Sequence, residues 1–388
     1  MRFKKNILFF LLCFCSISIV AKAQNTDSII LPRYKVAIFS PLYLDSVFSG
    51  NSYLHGKNFP AFLSPGLDFT LGAQLGLKNL NITNAIIDAQ IMDSKFPGII
   101  DSLIANQILN SYSLMICSVK DDEFVKLAKF SKEKNIPLIS ATYPNDGGIT
   151  DNPNLFIINS TLKAHCEGIF SYMLQNHQQD NIIFVRKKGT QEDRIAGYLN
   201  NINKPDQNTL LQYKSVKIDS SFSPLVSQLD SSRKNVILGG SLDEKFGINL
   251  ISKLNEVKSK YDIVLFGMPN WDGFKAGKND FAFNYTTPYH NDKKSSFNQI
   301  IQNDYKSKYK RNPSDFTYKG FEVVYNFVNL LAKYQNSFIQ NINDKTFNVF
   351  SEYNFLPVYG NNKAIPNYYE NKHLYFLKKE NGAVNKMQ

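Results

Sequence analysis

The chain has 388 residues, of which 43% are hydrophobic, and a formal net charge of +11 at pH 7. This length is enough for two domains with hydrophobic cores. No stretch beyond the first 23 residues is long and apolar enough to cross a bilayer, so we expect a soluble mature chain.

The N-terminal segment has the pattern of a secretory signal. Three cations within the first five residues precede an apolar run over residues 7–20, and the small-residue pattern Ala21-Lys22-Ala23 follows. The apolar run is shorter than the roughly 20 residues that a membrane span needs, which disfavours the alternative of a retained anchor. We predict a signal peptide over residues 1–23, cleavage after Ala23, and location in the periplasm or at the cell exterior.

Removal of this segment takes away four cations and no acid, so the net charge falls from +11 to +7. The remaining cations are scattered, and their densest run is Lys306–Arg311. We interpret this run as the solvated end of a helix, where positive charge suits the helix dipole. The alternative is a patch for nucleic acid or an anionic surface; we predict no nucleic-acid partner.

Of the four cysteines only two remain in the mature chain, and two do not make a disulfide framework. Cys13 and Cys15 lie in the predicted signal, and lipid modification of either is disfavoured because large apolar residues precede both. Cys117 and Cys166 remain in the mature chain. An oxidising compartment would allow them to pair, but each lies in an apolar context, so we predict two buried free thiols.

Short apolar runs bounded by polar or turn residues alternate with helical patterns in the first half. The predicted strands of this half are Lys35–Ser40, Ala85–Ile91, Ser113–Cys117, Pro137–Ala141 and a connecting strand Asn154–Asn159. Between them, leucines recur at four-residue spacing at Leu67, Leu71 and Leu75, and Ile99–Leu109 and the region of Phe124–Phe130 also read as helices. Alternation of this kind predicts a parallel sheet with right-handed crossovers.

The alternation of strands and helices begins again after the connecting strand. A helix over Thr161–Gln175 comes first, and the predicted strands that follow are Asn181–Val185, Lys214–Ile218, Asn235–Gly239, Asp262–Phe266 and a returning segment Ala282–Thr287. Two helices, Ser295–Tyr309 and Asp315–Tyr334, come next, and the tail ends in a predicted hairpin around Glu380-Asn381-Gly382. The fold class is therefore α/β with two lobes, each a parallel sheet flanked by helices.

The order of features from Ser113 to Met173 includes a strand that ends in Cys117-Ser118, the run Ile136–Pro144, an Asn-Pro turn, a further strand and a helix. This order resembles the type I periplasmic binding proteins, in particular the family that binds branched-chain amino acids. The likeness extends over most of residues 34–340, and its other marks are Phe39-Ser40-Pro41, Gly66, Asp93-Ser94, Gly239-Gly240 and Gly320-Phe321.

The resemblance implies two lobes joined by three crossings, with a ligand held in the cleft at the carboxyl ends of the strands. We expect lobe 1 to comprise residues 24–159 and 288–336, and lobe 2 to comprise residues 160–287 and 337–388. The implied function is capture of a small polar ligand, amino acid-like or another small metabolite, for uptake by an ABC-type transporter. The implied partners are that ligand and a membrane permease or an envelope protein, and we expect a monomer.

The resemblance places a half-site at the strand ends of the first lobe. Ser118 matches the serine after the third strand, and Ala141 and Thr142 match a pair that offers backbone groups and a hydroxyl. Ser140 precedes them, and Tyr43 lies in the loop after the first strand. The alternative is that the hydroxyls of Ser118, Ser140 and Thr142 only end strands and cap helices.

The candidates in the second lobe match the family less closely. Gln191 and Ser241 stand where amino-acid-binding members have aromatic residues, and Asn270 stands where they have the acid that pairs with the ligand's ammonium group. A neutral amide does not offset a desolvated ammonium, so an α-amino acid ligand is in doubt unless Asp272 replaces the acid. Trp271, the only tryptophan, could stack on a ligand or lie in the core, and Tyr285 is a hinge or cleft candidate with packing as its alternative.

The sequence contains none of the zinc-protease, nucleophile-elbow, Walker, dinucleotide-binding or Cys-x-x-Cys motifs. His165 and Cys166 are neighbours on a helix and point about 100° apart, so they do not form a catalytic pair. Asp121-Asp122-Glu123 suits a helix start better than a metal site. We therefore predict no enzyme activity, no metal and no cofactor, and we rank an exported hydrolase last. The main alternative function is an envelope scaffold or partner-binding protein with the same fold and a degenerate ligand site.

Overall fold

The computed structural model describes residues 31–204, 210–274, 281–291, 295–360 and 364–387. The predicted signal peptide lies outside the described residues. Residues 33–388 form one compact unit. None of the helices in the described part of the chain combines the length and the apolar character that a membrane span requires.

The first half of the chain alternates strands and helices as predicted. Its elements are β1 Arg33–Ser40, α1 Leu44–Val47, β2 Phe48–Ser49, β3 Ser52–Tyr53, α2 Ser64–Lys78, β4 Ile86–Asp93, α3 Ile99–Ala105, β5 Leu114–Cys117, α4 Asp121–Lys134, β6 Leu138–Ser140 and β7 Leu155–Ile157. The short hairpin of β2 and β3 is an addition that the apolar pattern did not predict.

The remainder restarts the pattern after β7. Its elements are α5 Leu162–Asn176, β8 Asn181–Lys187, α6 Thr190–Ile202, β9 Lys214–Ile218, α7 Ser223–Val226, β10 Asn235–Gly239, α8 Glu244–Val257, β11 Ile263–Phe266, β12 Phe283–Thr287, α9 Ser296–Tyr309, α10 Asp315–Tyr334, β13 Phe355–Val358, β14 Tyr368–Asn371, β15 Tyr375–Glu380 and β16 Ala383–Lys386. The predicted terminal hairpin is confirmed, because β15 and β16 pair antiparallel.

The strands form two large sheets, which confirms the predicted two-lobed α/β class. The first sheet has the order β13-β14-β7-β6-β5-β1-β4 and the second β16-β15-β12-β11-β10-β8-β9. The two sheets share one arrangement of parallel strands. In the first sheet β1 lies between β4 and β5, and in the second sheet β8 lies between β9 and β10. This arrangement opens a crevice at the carboxyl ends of β1 and β5, and another at those of β8 and β10.

The chain passes between the lobes near residues 158–161, 288–291 and 372–374, in agreement with the predicted three crossings. The assignment of all of residues 337–388 to lobe 2 is wrong. Strands β13 and β14 extend the first sheet, where β14 pairs with β7, and only β15 and β16 join the second sheet. Aromatic side chains explain this position, because Phe355 and Tyr369 pack against Phe156 on β7.

Helix α10 is the central helix of the first lobe and crosses α2 at very short range. A side chain at Gly72 would collide with the backbone of Thr317, and one at Gly320 would collide with that of Phe69, so both glycines are required for the approach. The carboxylate of Asp68 on α2, which is 2% exposed, fixes this contact by accepting hydrogen bonds from Tyr305 and Ser314.

Each lobe has its own hydrophobic core. Apolar side chains pack on both faces of the first sheet, and one large cluster that includes Trp271 fills the second lobe. Cys117 and Cys166 are buried and free, as predicted. Burial raises the pKa of both thiols to about 12, so both are protonated at neutral pH.

Candidate ligand-binding cleft

A cavity of about 450 Å³, which we call the cleft, lies between the two lobes. Its volume is within the range of small-molecule sites. Residues of the first lobe that line it include Asn145, Asp146, Asn159, Lys319 and Tyr368, and those of the second lobe include Lys163, His165, Gln191, Arg194, Tyr198, Asn270 and Asp272. Nearly all of these side chains are polar, so the cleft offers hydrogen bonds and charges from both sides.

The wall of the second lobe is formed in part by helix α6. Gln191 and Arg194 are exposed to the cleft, and the Nε of Arg194 donates a hydrogen bond of 2.6 Å to the hydroxyl of Tyr198 one turn later. The guanidinium group also lies 5.6 Å from the centre of the Tyr198 ring. The stacked ring orients the cation, whose remaining N–H groups have no acidic partner among the described residues.

His165 lies on α5 at the floor of the cleft and is 2% exposed. Its Nδ1 forms a hydrogen bond of 2.7 Å with the hydroxyl of Thr286 on β12. Burial, with the nearby charge of Lys372, lowers the pKa of His165 to about 3. The imidazole is therefore neutral at physiological pH and contributes a hydrogen-bonding group, not a charge.

The loop after β11 brings an amide and a carboxylate to the cleft. The side chain of Asn270 donates a hydrogen bond of 2.8 Å to the carbonyl of Leu242, so it closes the loop against the second lobe. Asp272 lines the cleft two residues later, and partial burial raises the pKa of its carboxyl group. The loop therefore brings a carboxylate to the cleft at Asp272, two residues after the amide of Asn270.

Three of the predicted half-site residues lie in a separate cavity of about 420 Å³, the first-lobe pocket, at the crevice of β1 and β5. Tyr43, Ser118 and Thr142 line it, and the hydroxyls of Ser118 and Thr142 are 2.9 Å apart and hydrogen-bonded. Asp93 holds the loop of Tyr43 by accepting hydrogen bonds from its backbone N–H at 3.1 Å and from those of the residues on either side. Pro144 belongs to both this pocket and the cleft.

The prediction that Ser140 and Ala141 contact a ligand is wrong, because both residues are buried. Ser140 and Ala141 are both 0% exposed and line neither cavity. The N–H of Ala141 donates to the carbonyl of Cys117 at 2.9 Å, and its carbonyl accepts a hydrogen bond from the hydroxyl of Tyr289. The backbone groups that the resemblance assigned to a ligand are therefore used within the protein.

Two predictions in the second lobe are corrected in the same way. Ser241 is fully buried and donates its hydroxyl hydrogen to the carboxylate of Glu192. Trp271 is also fully buried, stacks on Phe274 with ring centres 5.1 Å apart, and donates from its indole nitrogen to the carbonyl of Ser241. The loop after β11 turns inward as a short 3-10 helix, so the indole fills the core and does not reach the cleft.

Tyr285 lies in a third cavity of about 150 Å³, the hinge cavity, which adjoins the cleft. Asp272, Thr287, Tyr289 and Lys319 line both cavities. The hinge cavity is otherwise lined by His290, Asn291, Asp315, Tyr318, Glu322, Phe350, Ser351 and Leu377.

Sequence reasoning missed Arg194, Tyr198 and Lys319 as cleft residues. A signal for the first two was present, because Arg194 and Tyr198 are four residues apart in the segment between the predicted strands Asn181–Val185 and Lys214–Ile218, a spacing that places them on one face of a helix. Lys319 precedes the Gly320-Phe321 mark of the resemblance, and only the close packing of α10 brings it to the gap between the lobes.

Across the described ranges, no three His, Cys, Asp or Glu side chains come together in a way that could hold a metal ion.

The comparisons with known proteins agree with this architecture. A family model described as periplasmic binding protein matches residues 110–356, which is more than half of the chain. No curated protein matches the sequence.

Similar solved structures include a putative branched-chain amino acid ABC transporter protein from Rhodospirillum rubrum, with 12% identity, a TM-score of 0.63 and coverage of 92% of this chain and 100% of that chain. A branched-chain amino acid ABC transporter periplasmic ligand-binding protein from Burkholderia xenovorans has 10% identity and a TM-score of 0.58 over 92% of this chain and 94% of that chain. An ABC transporter substrate-binding protein from Desulfitobacterium hafniense in complex with Leu has 10% identity and a TM-score of 0.56 over 92% and 100%. The chain belongs to the periplasmic binding protein family.

Proposed function

We propose that the protein captures a small polar solute in the cleft by closure of the two lobes, without covalent chemistry, and passes it to a membrane permease. The single observation that carries this proposal is the cleft itself, a cavity of about 450 Å³ lined by polar side chains from both lobes. Closure around a solute removes water, and this strengthens charge-assisted hydrogen bonds to it.

The charges of the cleft indicate what the solute must offer. Arg194 on the second lobe and Lys319 on the first provide cations, and Asp272 provides a carboxylate. None of the three forms an ion pair within 4 Å with a described residue. Such groups are costly to desolvate unless a ligand supplies the complementary charge. A solute with at least one charged group, and further groups for Gln191 and Tyr198, matches this lining.

Thermal unfolding and titration calorimetry against amino acids, small carboxylates and sugars test the proposal. A true ligand at a hundredfold excess over its Kd stabilises the folded state by about 2.7 kcal/mol. We expect Arg194→Met to weaken binding of that ligand by roughly tenfold, because one charge-assisted hydrogen bond is worth about 1.5–3 kcal/mol. Arg33→Met is the control, because Arg33 is exposed at the start of β1, far along the strand from its carboxyl end.

A second variant tests whether the first-lobe pocket belongs to the same site. If the solute reaches through the shared Pro144 boundary, Thr142→Ala weakens binding and Thr142→Ser restores it. No stabilisation by any solute, together with identical behaviour of Arg194→Met and wild type, contradicts the proposal and favours the scaffold alternative.

A further inference from the structure

A cavity of about 570 Å³, which we call the distal cavity, lies in the second lobe away from the cleft. Both cavities contact β12, but at its opposite ends. Thr286 and Thr287 at the carboxyl end of this strand line the cleft, whereas Ala282 and Asn284 at the amino end line the distal cavity. Solute capture between the lobes therefore does not use this space, whose volume is within the range of small-molecule sites.

The distal cavity is present because two neighbouring strands diverge. Strand β11 pairs with β10 along all of Ile263–Phe266. On its other side, within the residues that the structure describes, only Phe266 has a partner in β12, and this partner is Asn284. The apolar residues that line the space between the two strands are Ile263, Val264, Leu265, Phe281, Ala282 and Met387. The walls of the cavity are therefore largely apolar.

One buried polar side chain at this cavity lacks a partner. Asn284 is 5% exposed, and its Oδ1 atom is buried and accepts no hydrogen bond from a described residue. An unsatisfied amide oxygen in the middle of a sheet lowers the stability of the fold. Buried polar atoms are nearly always satisfied, so an unpaired acceptor beside a cavity indicates a further molecule that donates to it. Asn284 therefore provides an acceptor for an N–H or O–H group.

The register of the sheet places Asn284 where the helical cover of one face ends. Its antiparallel neighbour on β15 is Lys378, and the two side chains share a face of the sheet. Two residues earlier on the same face of β15, Phe376 is covered by Tyr172 of α5, with ring centres 4.6 Å apart. Asn284 and Lys378 instead line the distal cavity. The amide therefore lies at the boundary between the packed face and open space.

The rim of the distal cavity carries one uncompensated positive charge. The charged side chains that line it among the described residues are Lys258, Lys378 and Glu380. The Nζ of Lys378 lies 3.0 Å from the carboxylate of Glu380, so these two charges offset each other. Lys258 is exposed directly after α8 and forms no ion pair within 4 Å with a described residue. An anionic group is therefore favoured at this rim.

We propose that the distal cavity is a second binding site, for a small aromatic carboxylate that carries an N–H group. The N–H group donates to Oδ1 of Asn284, and the carboxylate lies beside Lys258. The ring packs against Val264 and Leu265, because the walls formed by two diverging strands of one sheet suit a flat apolar group. Occupancy satisfies the buried amide and fills the gap between β11 and β12, so it stabilises the second lobe.

Titration calorimetry with indole-3-acetate, which combines these three groups, tests the proposal. The matched probes are 1-methylindole-3-acetate, which lacks the N–H group, and 3-methylindole, which lacks the carboxylate. We expect saturable binding of indole-3-acetate and a roughly tenfold weaker affinity for its 1-methyl derivative, which loses one hydrogen bond to a buried acceptor. 3-Methylindole should bind about threefold more weakly. These comparisons use the wild-type protein, so they do not depend on how a variant folds.

Two substitutions locate the site. In Asn284→Leu, which nearly keeps the shape, we expect the two indole acids to bind equally weakly. The thermal stability of the ligand-free variant should be unchanged or higher, because an unsatisfied buried oxygen is removed. Lys258→Met should weaken indole-3-acetate binding about threefold, and salt should reduce this effect. Lys260→Met is the control, because Lys260 is exposed two residues later and does not line the cavity.

Three results would overturn the proposal. The absence of saturable binding, equal affinity of the wild type for both indole acids, or a preference for the N–H group that persists in Asn284→Leu would each show that Oδ1 is not the acceptor. Indole-3-acetate binding that is weakened in Arg194→Met but not in Lys258→Met would also overturn it. That last result would place the acid in the cleft, so the proposed function would stand without a second site.

Discussion

The hydroxyl group of Tyr289 donates a hydrogen bond to the backbone carbonyl of Ala141. Tyr289 lies on the second connection between the lobes, and Ala141 directly follows β6 of the first sheet. The bond therefore ties a connecting segment to the strand end where the family resemblance expects a ligand. Ala141 lines neither the cleft nor the first-lobe pocket, so its carbonyl group faces Tyr289 and not a cavity.

The first prediction concerns the strength of this tie. Tyr289→Phe leaves the fully buried Ala141 carbonyl without its side-chain partner. We expect the free energy of unfolding to fall by about 1–3 kcal/mol, the cost of an unsatisfied buried acceptor. Urea unfolding followed by circular dichroism measures it. Tyr359→Phe is the control, because Tyr359 is 49% exposed; equal effects of the two substitutions would contradict the role of the bond.

The second prediction is a loss of stability as the pH rises. Glu322 is 3% exposed on α10 and accepts hydrogen bonds from Tyr353 and Ser351, and burial raises its pKa from 4.5 to about 7. Between these two pH values the folded state keeps the proton that the unfolded state releases. Folding is therefore favoured below pH 4.5, and this contribution is lost up to pH 7, by about 3 kcal/mol in total.

Glu322→Gln isolates this contribution, because glutamine keeps the shape and does not titrate. We expect the difference in unfolding free energy between wild type and this variant to change steadily between pH 4.5 and 7, and to be constant above pH 8. A difference that does not vary with pH would show that Glu322 keeps its ordinary pKa.

The third prediction has the opposite sign. The pKa of His165 is lowered from 6.5 to about 3, chiefly by burial. Below pH 6.5 the unfolded chain takes up a proton that the folded chain refuses, so stability falls as the pH falls, by about 1.4 kcal/mol per pH unit. In His165→Asn the amide can replace Nδ1 in the bond to Thr286. The free energy of unfolding should fall less steeply with falling pH in this variant than in the wild type. Equal slopes would refute the lowered pKa of His165.

The fold was predictable because most central strands are short apolar runs that are buried. Asn235–Gly239 is buried throughout and matches the predicted strand in full. The partly exposed edge strand Lys214–Ile218 and the helix Asp315–Tyr334 also match their predictions. The sequence could not assign the tail to its sheets. Strands β13 and β14 join the first sheet through contacts with residues about 200 positions earlier, and no local pattern encodes such a pairing.

The candidate site was predictable only where the order of the strands alone fixes the position of a side chain. Ser118 and Thr142 meet because the carboxyl ends of parallel strands share one edge of a sheet. Whether a side chain at that edge faces the cleft or the core depends on how the loop turns. The side chain of Ser241 faces the core because its hydroxyl donates a hydrogen bond to the buried carboxylate of Glu192. Lys319 reached the cleft because its helix lies against α2 at a distance that only glycines allow.

Trp271 provides the fourth prediction, which follows from the same difference between cleft and core. The indole packs against the backbone of Gly239 and Gly267, and any side chain at either glycine would collide with it. Trp271→Phe removes the larger ring and leaves a cavity, so we expect the unfolding free energy to fall by about 2–4 kcal/mol. Solute binding in the cleft should be unchanged, because the indole does not line it.

Because Trp271 is the only tryptophan, fluorescence reports on this position alone. A fully buried indole emits at short wavelength and resists quenching by acrylamide. We expect both properties in the wild-type protein, with no change in quenching when a solute binds. Strong quenching that a bound solute suppresses would place the indole at the ligand and reverse the correction. If quenching is weak with and without solute, and Trp271→Phe loses stability, Trp271 has a packing role. A side chain that water does not reach cannot contact a solute that enters from water.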